Sequence, residues 1–343
     1  MRPQSLFVSA LLLGACAVGP DHKGVDLSTL TPAAFEDTGA ATAPADWWRT
    51  LNDPVLDGLV ADALAANRDL RAAEANARAA RADFGFSRFD YAPTVRTDAQ
   101  YRRQRVSADG LGATIPGIPA GEPFPDTDLF DAGLIAGWEL DFWGRVRRSV
   151  QTAKANYEGA EADRRSAAVL ATADVAASYA ALRGAERQRD VAMKNAQRQA
   201  ETRSLTESLE RAGRASSLDA ARARAQAEAT QATVPPLEAA IAREKRRLAV
   251  LTGRSPDGLE AALSEPAAFP KIPDAAPGGD PALILRQRPD IMRAERDLAA
   301  ATAQIGVATA DLFPRVRFVG AFGASSTTLS SFGAAPSVDY GFG

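Results

Sequence analysis

A proline-free span from Gly144 to Arg211, called the rod below, restricts what this chain can fold into more than any other feature. Alanine, arginine, glutamate, glutamine and leucine dominate it, and all are good helix formers. Its larger apolar residues, such as Val146, Val150 and Tyr157, recur at helical spacing. A helix of roughly 68 residues would be about 100 Å long. Since no single globular core is that long, we expect an elongated, mainly helical fold.

The rod is predicted to turn back on itself after Arg211. Gly213 supplies the positive φ that ends a helix, and Ser216 or Ser217 caps the helix that follows. The returning helix is expected at about 217–252. The rod and this helix therefore form a long antiparallel hairpin.

The returning helix is interrupted by Pro235-Pro236, where a kink or break is expected. Another helix is predicted before the rod, at about 54–83. Placed end to end, this helix and the returning helix would match the rod in length, so they would stack beside it. A cytosolic coiled-coil scaffold is the alternative interpretation of this pattern, but the N-terminus argues against it.

The N-terminus has the pattern of an export signal at 1–15. Arg2 precedes a short apolar run at 6–15, and Leu13-Gly14-Ala15-Cys16 resembles the bacterial lipobox, in which the cysteine carries a diacylglycerol. An ordinary secretory signal with a nearby cysteine is the alternative. The Pro-, Ala-, Gly- and Thr-rich segment at 16–52 is predicted to be a lipidated, extended tether.

Cys16 is the only cysteine and His22 the only histidine of the 343 residues. These counts exclude an internal disulfide and a closed Cys/His zinc site, and they disfavour Ser-His-Asp or Cys-His catalysis. The 40 Lys+Arg against 43 Asp+Glu give no basic excess that would favour nucleic acid. The sequence has no run of about 18 apolar residues, so no membrane-spanning helix is predicted. We therefore expect neither an enzyme nor a cofactor.

Two segments, at 94–103 and 130–143, alternate between apolar and polar residues with a period of two. A Gly/Pro-rich loop at 110–125 lies between them. Strands of about ten residues with this alternation and with aromatic residues near their ends are typical of outer-membrane β-barrels. A soluble sheet with one wet face is the alternative that alternation alone leaves open.

The chain repeats itself at an offset of 221 residues, pairing Gly85 with Gly306 and Pro93 with Pro314. Helix plus strand therefore occurs twice. The predicted segments are a first repeat at 53–253, a linker at 254–280 and an incomplete second repeat at 281–343. The second repeat has a strand at 315–323 and the start of another at 337–343. The repeated carboxylates are predicted to cap or pack helices rather than to catalyse: Asp69, Glu74, Asp290 and Glu295.

Three motifs resemble the TolC-like outer-membrane efflux proteins, specifically the NodT-type lipoproteins that serve resistance-nodulation-division pumps. The first is the strand-to-rod junction Trp138-Glu139-Leu140-Asp141-Phe142-Trp143-Gly144. The second is the turn formed by Arg211, Gly213, Ser216, Leu218 and Asp219. The third runs from Arg288-Pro289-Asp290-Ile291 through Ala294-Glu295 and Ile305-Gly306 to Asp311-Leu312-Phe313-Pro314. The resemblance covers the chain from Cys16 onward.

This resemblance implies a homotrimer in which each protomer gives four strands to a shared 12-stranded barrel and a helical hairpin to a periplasmic tunnel. The turn at 211–219 would be the periplasmic tip that docks an adaptor protein, and an inner-membrane pump would supply the energy. The acyl lipid on Cys16 would anchor the chain in the outer membrane. Charged strand residues would line the pore: Arg96, Asp98, Arg102, Glu139 and Asp141.

The family pattern also predicts a second long hairpin, and only about 20 residues follow Gly323. The expectation is therefore a C-terminally truncated chain. Alternatives to the efflux channel are a type I secretion channel, a non-functional lipoprotein fragment, a periplasmic adaptor and a lipid-anchored spacer. Neither flank shows the β domains that an adaptor would carry.

Overall fold

The computed structural model describes residues 17–26, 44, 46–105, 126–263 and 280–343. The signal segment, Cys16, the loop at 110–125 and most of the linker at 254–280 fall outside these residues. The predictions made for them stay predictions.

Helices and strands follow one another in the order that the duplication predicts. The helices are α1 (Pro54–Ala66), α2 (Arg68–Ser87), α3 (Arg145–Arg211), α4 (Ser217–Gln231), α5 (Val234–Thr252), α6 (Pro256–Ala262), α7 (Pro281–Gln287) and α8 (Pro289–Ala310). The strands are β1 (Thr94–Gln104), β2 (Thr127–Leu140), β3 (Val316–Ser326) and β4 (Val338–Phe342). The predicted helical hairpin and strands are confirmed, with α3 as the 67-residue rod.

The described chain divides into two compact units. Of the described residues, 17–23, 80–105, 126–157 and 296–343 form the sheet unit, and 24–26, 44, 46–79, 158–263 and 280–295 form the helical unit. Helices α2, α3 and α8 contribute residues to both units. Each unit is described on its own below.

The sheet unit contains one antiparallel sheet with the strand order β1-β2-β3-β4. Its register pairs Thr97 with Leu134, Leu134 with Phe322, and Phe322 with Tyr340. Side chains alternate between the two faces along each strand, whereas directly paired residues share a face. The register therefore fixes which side chains form each face.

The helical unit has its core where α1, α5 and α6 pack on the middle of α3. The rod contributes Val175, Tyr179 and Leu182, which recur at helical spacing and are fully buried. The other helices and their ends contribute Leu56, Leu59, Val60, Ala63, Ile241, Leu248, Ala249, Leu259 and Leu263. Burying one such leucine contributes about 1.5–3 kcal/mol, so this cluster holds the helices together.

The single helix predicted at 54–83 is wrong, because the chain breaks at Asn67 into α1 and α2. Asn67 has an extended ψ of 130°, and its side-chain oxygen accepts hydrogen bonds from the backbone N–H groups of Asp69 and Leu70. The second repeat breaks at the equivalent Arg288, with a ψ of 122°. The duplication therefore includes the helix break.

The predicted tether and linker each contain ordered structure. Residues 17–21 contact the sheet unit through hydrogen bonds to Trp143 and Arg148. Helix α6 lies within the predicted linker, and Ser255 caps it. The tether and the linker stay predictions, with these contacts and this short helix inside them.

Candidate channel wall

Every aromatic side chain of the four strands lies on one face of the sheet, called the apolar face below. They are Tyr101, Phe130, Trp138, Phe318, Phe322, Tyr340 and Phe342. Phe322 is 60% exposed and Phe342 is 75% exposed in the single chain. A soluble monomer rarely exposes so large an apolar patch, so this face requires an apolar environment.

The opposite face, called the polar face below, carries the predicted pore residues of β1. Arg96, Asp98 and Arg102 alternate with the apolar-face residues of the same strand, and all three are exposed. The register adds charges from the other strands: Asp131, Glu139, Arg317 and Asp339. The strands therefore have one face suited to lipid and one suited to water.

A row of two glycines and two aspartates crosses the polar face. Asp98 pairs with Gly133, Gly133 with Gly323, and Gly323 with Asp339. A Cβ atom on Gly133 would lie 3.2 Å from an oxygen of Asp98, and one on Gly323 would lie 3.2 Å from an oxygen of Asp339. The glycines let both carboxylates lie over the strands. Asp339 was not predicted as a pore residue, although the alternation of the last strand would have identified it.

Asp141 lies beyond the end of β2 and caps α3 instead of standing on the polar face. One carboxylate oxygen accepts a hydrogen bond from the backbone N–H of Val146 at 3.0 Å, and the other from that of Arg147 at 2.9 Å. A carboxylate at a helix N-terminus satisfies unpaired N–H groups and opposes the helix dipole. The assignment of Asp141 to the pore wall is therefore corrected to a helix cap.

Glu139 keeps its place on the polar face, but its carboxylate is engaged. Arg145 donates two hydrogen bonds to it, at 2.6 and 2.8 Å, and the Glu139 side chain is 13% exposed. The hydrogen bond with Glu139 also raises the pKa of Arg145. Because a bidentate pair is strong and directional, Glu139 holds the start of α3 against β2.

The predicted turn at 211–219 joins α3 to α4. Gly213 has a φ of +69°, in the left-handed region that glycine favours. The Ser216 hydroxyl accepts a hydrogen bond from the Asp219 N–H, and the Asp219 carboxylate accepts one from the Ser216 N–H. The hydrogen bond from the Ser216 side chain lowers the pKa of Asp219. This capping box fixes the start of α4 and leaves Leu218 exposed.

Arg211, the remaining predicted tip residue, closes the end of α3. Its guanidinium donates hydrogen bonds to the Glu207 carbonyl and to the Ser208 hydroxyl, at 3.2 and 2.9 Å. A basic side chain in the last turn interacts favourably with the helix dipole. The described tip is therefore a hydrogen-bonded turn with an exposed leucine.

The carboxylates that the duplication repeats lie in helices. Asp290 stands in the first turn of α8 and accepts two hydrogen bonds from Arg288, at 2.6 and 3.0 Å. The hydrogen bond with Arg288 lowers the pKa of Asp290 to about 2, so this carboxylate is ionised near neutral pH. Asp69 occupies the equivalent first turn of α2.

Among the residues that the structure describes, no three His, Cys, Asp or Glu side chains are grouped as a metal ion would require. Within the same ranges, no helix is both long enough and apolar enough to cross a membrane.

An antiparallel sheet with one apolar face and one polar face is typical of outer-membrane β-barrel strands. The profile of the family described as "Outer membrane efflux protein" matches residues 59–254 and 281–343. The chain belongs to this outer membrane efflux protein family.

Individual relatives agree with the family. The antibiotic efflux pump outer membrane protein ArpC of Pseudomonas putida is 32% identical over 334 residues, which are 95% of this chain and 67% of ArpC. The probable outer membrane lipoprotein SilC of Salmonella typhimurium is 30% identical, over 91% of this chain and 63% of SilC. The solved outer-membrane channel OprN has a TM-score of 0.83 at 38% identity, over 96% of this chain and 72% of that chain.

Proposed function

We propose that this chain is the outer-membrane exit duct of a tripartite efflux pump and that drugs or other small molecules pass through it passively from periplasm to exterior. The strand register carries the proposal, because it places all seven strand aromatics on one face and every strand charge except Arg103 and Asp128 on the other. The apolar face would contact lipid chains, and the polar face would line a water-filled lumen. The energy would come from an inner-membrane pump, so the chain needs no chemistry of its own.

The functional unit is a homotrimer with a 12-stranded barrel. The four strands of one chain form an open sheet whose edges are β1 and β4. Unpaired N–H and C=O groups at such edges are not tolerated in lipid. Pairing β1 of one copy with β4 of the next would close the sheet into a barrel along the five residues of β4.

The remaining proposed partners bind at the tip of the helical hairpin and at the N-terminus. The turn around Gly213 would dock the periplasmic adaptor through the exposed Leu218 and its charged neighbours. An acyl lipid on Cys16 would anchor the N-terminus in the outer membrane. The lipobox and the name of SilC support this anchor.

Conductance in planar lipid bilayers tests the proposal with the full chain purified from outer membranes. The chain should give discrete conductance steps and should run as a heat-modifiable trimer in detergent. Asp98→Asn removes a negative charge from the polar face, so the ratio of cation to anion permeability should fall. Asp257→Asn, an equal change of charge at an exposed residue of α6, should leave this ratio unchanged.

Absence of both conductance and a heat-modifiable trimer would overturn the proposal. Restored polypeptide secretion without restored dye extrusion, in a strain that lacks its own channels, would favour the secretion-channel alternative.

A further inference from the structure

A buried arginine binds the residues that directly follow Cys16. Arg148, in the first turn of α3, is only 3% exposed. Its guanidinium donates hydrogen bonds to the carbonyl oxygens of Val18 and Gly19, at 3.2 and 3.1 Å. It also lies 2.8 Å from a carboxylate oxygen of Asp21. A guanidinium withdrawn from water is costly unless its donors are used, and here one short segment uses most of them.

The backbone of this segment lies against the protein more closely than side chains would permit. The Val18 N–H donates a hydrogen bond to the Trp143 carbonyl at 3.1 Å. A Cβ atom on Gly144 would lie 2.7 Å from Ala17, and one on Gly19 would lie 2.5 Å from the Cα atom of Gly306. Both distances are shorter than real Cβ contacts. Arg148, Trp143, Gly144 and Gly306 thus form a slot, called the anchor slot below, that fits this segment.

Comparison of the two repeats shows that the anchor slot, and not the helix, requires a glycine at position 306. Its equivalent in the first repeat is Gly85, which lies in α2 as Gly306 lies in α8. A Cβ atom on Gly85 would meet nothing within 4 Å, whereas one on Gly306 would lie 2.8 Å from the side chain of Arg148. The close approach therefore exists only in the repeat that receives the N-terminal segment.

We propose that the anchor slot seats the acylated N-terminus and that Arg148 is its positioning residue. This proposal rests on the acylation of Cys16 under the proposed function. Neighbouring Cα atoms are about 3.8 Å apart across a trans peptide bond, so a lipid on Cys16 begins one residue from the slot. The slot follows the end of β2, where the apolar face ends in Trp138 and Leu140. The lipid is thus held at the rim of the lipid-facing wall.

Hydrogen exchange of the full chain in lipid nanodiscs tests the seating. Gly306→Ala places a methyl group in the slot and should raise the exchange rate of the Val18 amide at least about tenfold. Arg148→Gln should have the same effect, and Arg148→Lys a smaller one, since an ammonium has fewer directed donors. The amides of α3 and α8 should stay protected, which separates seating from general unfolding.

Gly85→Ala is the matched control, because it makes the same change in a helix where there is space. It should leave the Val18 amide as protected as in the unmodified chain. Equal protection in Gly306→Ala and Gly85→Ala would overturn the proposal, even if Arg148→Gln fails to fold.

A photoreactive fatty acid supplied to the cells locates the lipid itself. In the unmodified chain its cross-links should fall on the end of β2 and the start of α3, and in Gly306→Ala they should spread. Cross-links that are spread already in the unmodified chain would overturn the proposal. The intact mass of the purified chain measures acylation separately. A chain without the lipid mass would contradict the lipid anchor under the proposed function. Equal exchange of the Val18 amide in Gly306→Ala and Gly85→Ala would contradict the anchor slot.

Discussion

A buried polar cluster at Tyr179 joins the rod to the start of α1. The Tyr179 hydroxyl donates a hydrogen bond of 2.6 Å to Asp53, whose other carboxylate oxygen accepts hydrogen bonds from the first N–H groups of α1. Arg183 lies 5.0 Å from the centre of the Tyr179 ring and pairs with the buried Glu186. These contacts offset the cost of burying the polar groups in the core of the helical unit.

Removing the Tyr179 hydroxyl should therefore destabilise the chain. Tyr179→Phe deletes a buried hydrogen bond to a charged group and should lower the free energy of unfolding by about 1.5–3 kcal/mol. Thermal unfolding followed by circular dichroism measures the change. Tyr157→Phe is the control, since phenylalanine keeps the ring that stacks on Phe84. Equal stability of the two variants would contradict the role given to the hydroxyl.

The same variant has a signature at alkaline pH. Burial, and then the hydrogen bond with Asp53, raises the pKa of Tyr179 to about 12. A raised pKa in the folded state gives stability that is complete below the unfolded value of about 10 and is lost as the pH rises through about 12. Tyrosinate absorbance of the unmodified chain should show a phase near pH 12 that is lost in Tyr179→Phe. A titration curve that is the same in both proteins would contradict the raised pKa of Tyr179.

At the scale of elements, the two repeats make the same helix break with different chemistry. In the first repeat the side chain of Asn67 caps α2 and donates a hydrogen bond to the Leu251 carbonyl at the end of α5. In the second, Pro289 begins α8, where its missing N–H costs nothing, and Arg288 pairs with Asp290. The two repeats share the backbone bend, but different side chains stabilise it in each repeat.

Asn67→Ala should lower the free energy of unfolding by about 1–2 kcal/mol, because the cap and the tie to Leu251 are both lost. Denaturant unfolding in detergent measures this. Asn195→Ala, at an exposed position of the rod, should change stability by less than about 0.5 kcal/mol. A smaller loss for Asn67→Ala than for the control would show that the bend is held by other contacts.

The capping box at the tip predicts a local effect. Ser216→Ala removes the acceptor for the Asp219 N–H, so the first amides of α4 should exchange faster, while thermal stability stays nearly unchanged. Hydrogen exchange with mass spectrometry resolves the tip peptide. The neighbouring Ser217→Ala should leave that peptide protected, and equal exchange in the two variants would refute the cap.

The sequence was sufficient for elements that local pattern determines. The rod, the turn at Gly213 and the strands follow from composition and periodicity. The sequence was insufficient where contacts between residues far apart in the chain determine the structure. The break at Asn67 depends on a carbonyl 184 residues away. The end of β2 before Asp141 depends on the start of α3, and the anchor slot depends on contacts between residues about 130 positions apart.

At the scale of the whole molecule, the two repeats contribute their strands to one antiparallel sheet. The duplication supplies paired helix-and-strand units, and their register aligns seven aromatic side chains on one face. Membership of the outer membrane efflux protein family was predictable because its motifs lie at turns and junctions. The contact of Gly306 with Arg148 could be found only from the structure.

Cysteine scanning of β2 in outer membranes tests the central claim most directly, since the only natural cysteine gives the background. Single cysteines at positions 130–137 are treated with a water-soluble, charged thiol reagent. Positions 131, 133, 135 and 137, on the polar face, should react, and positions 130, 132, 134 and 136 should be protected by lipid. Reaction without a two-residue period, or with the opposite phase, would contradict a channel wall of this orientation.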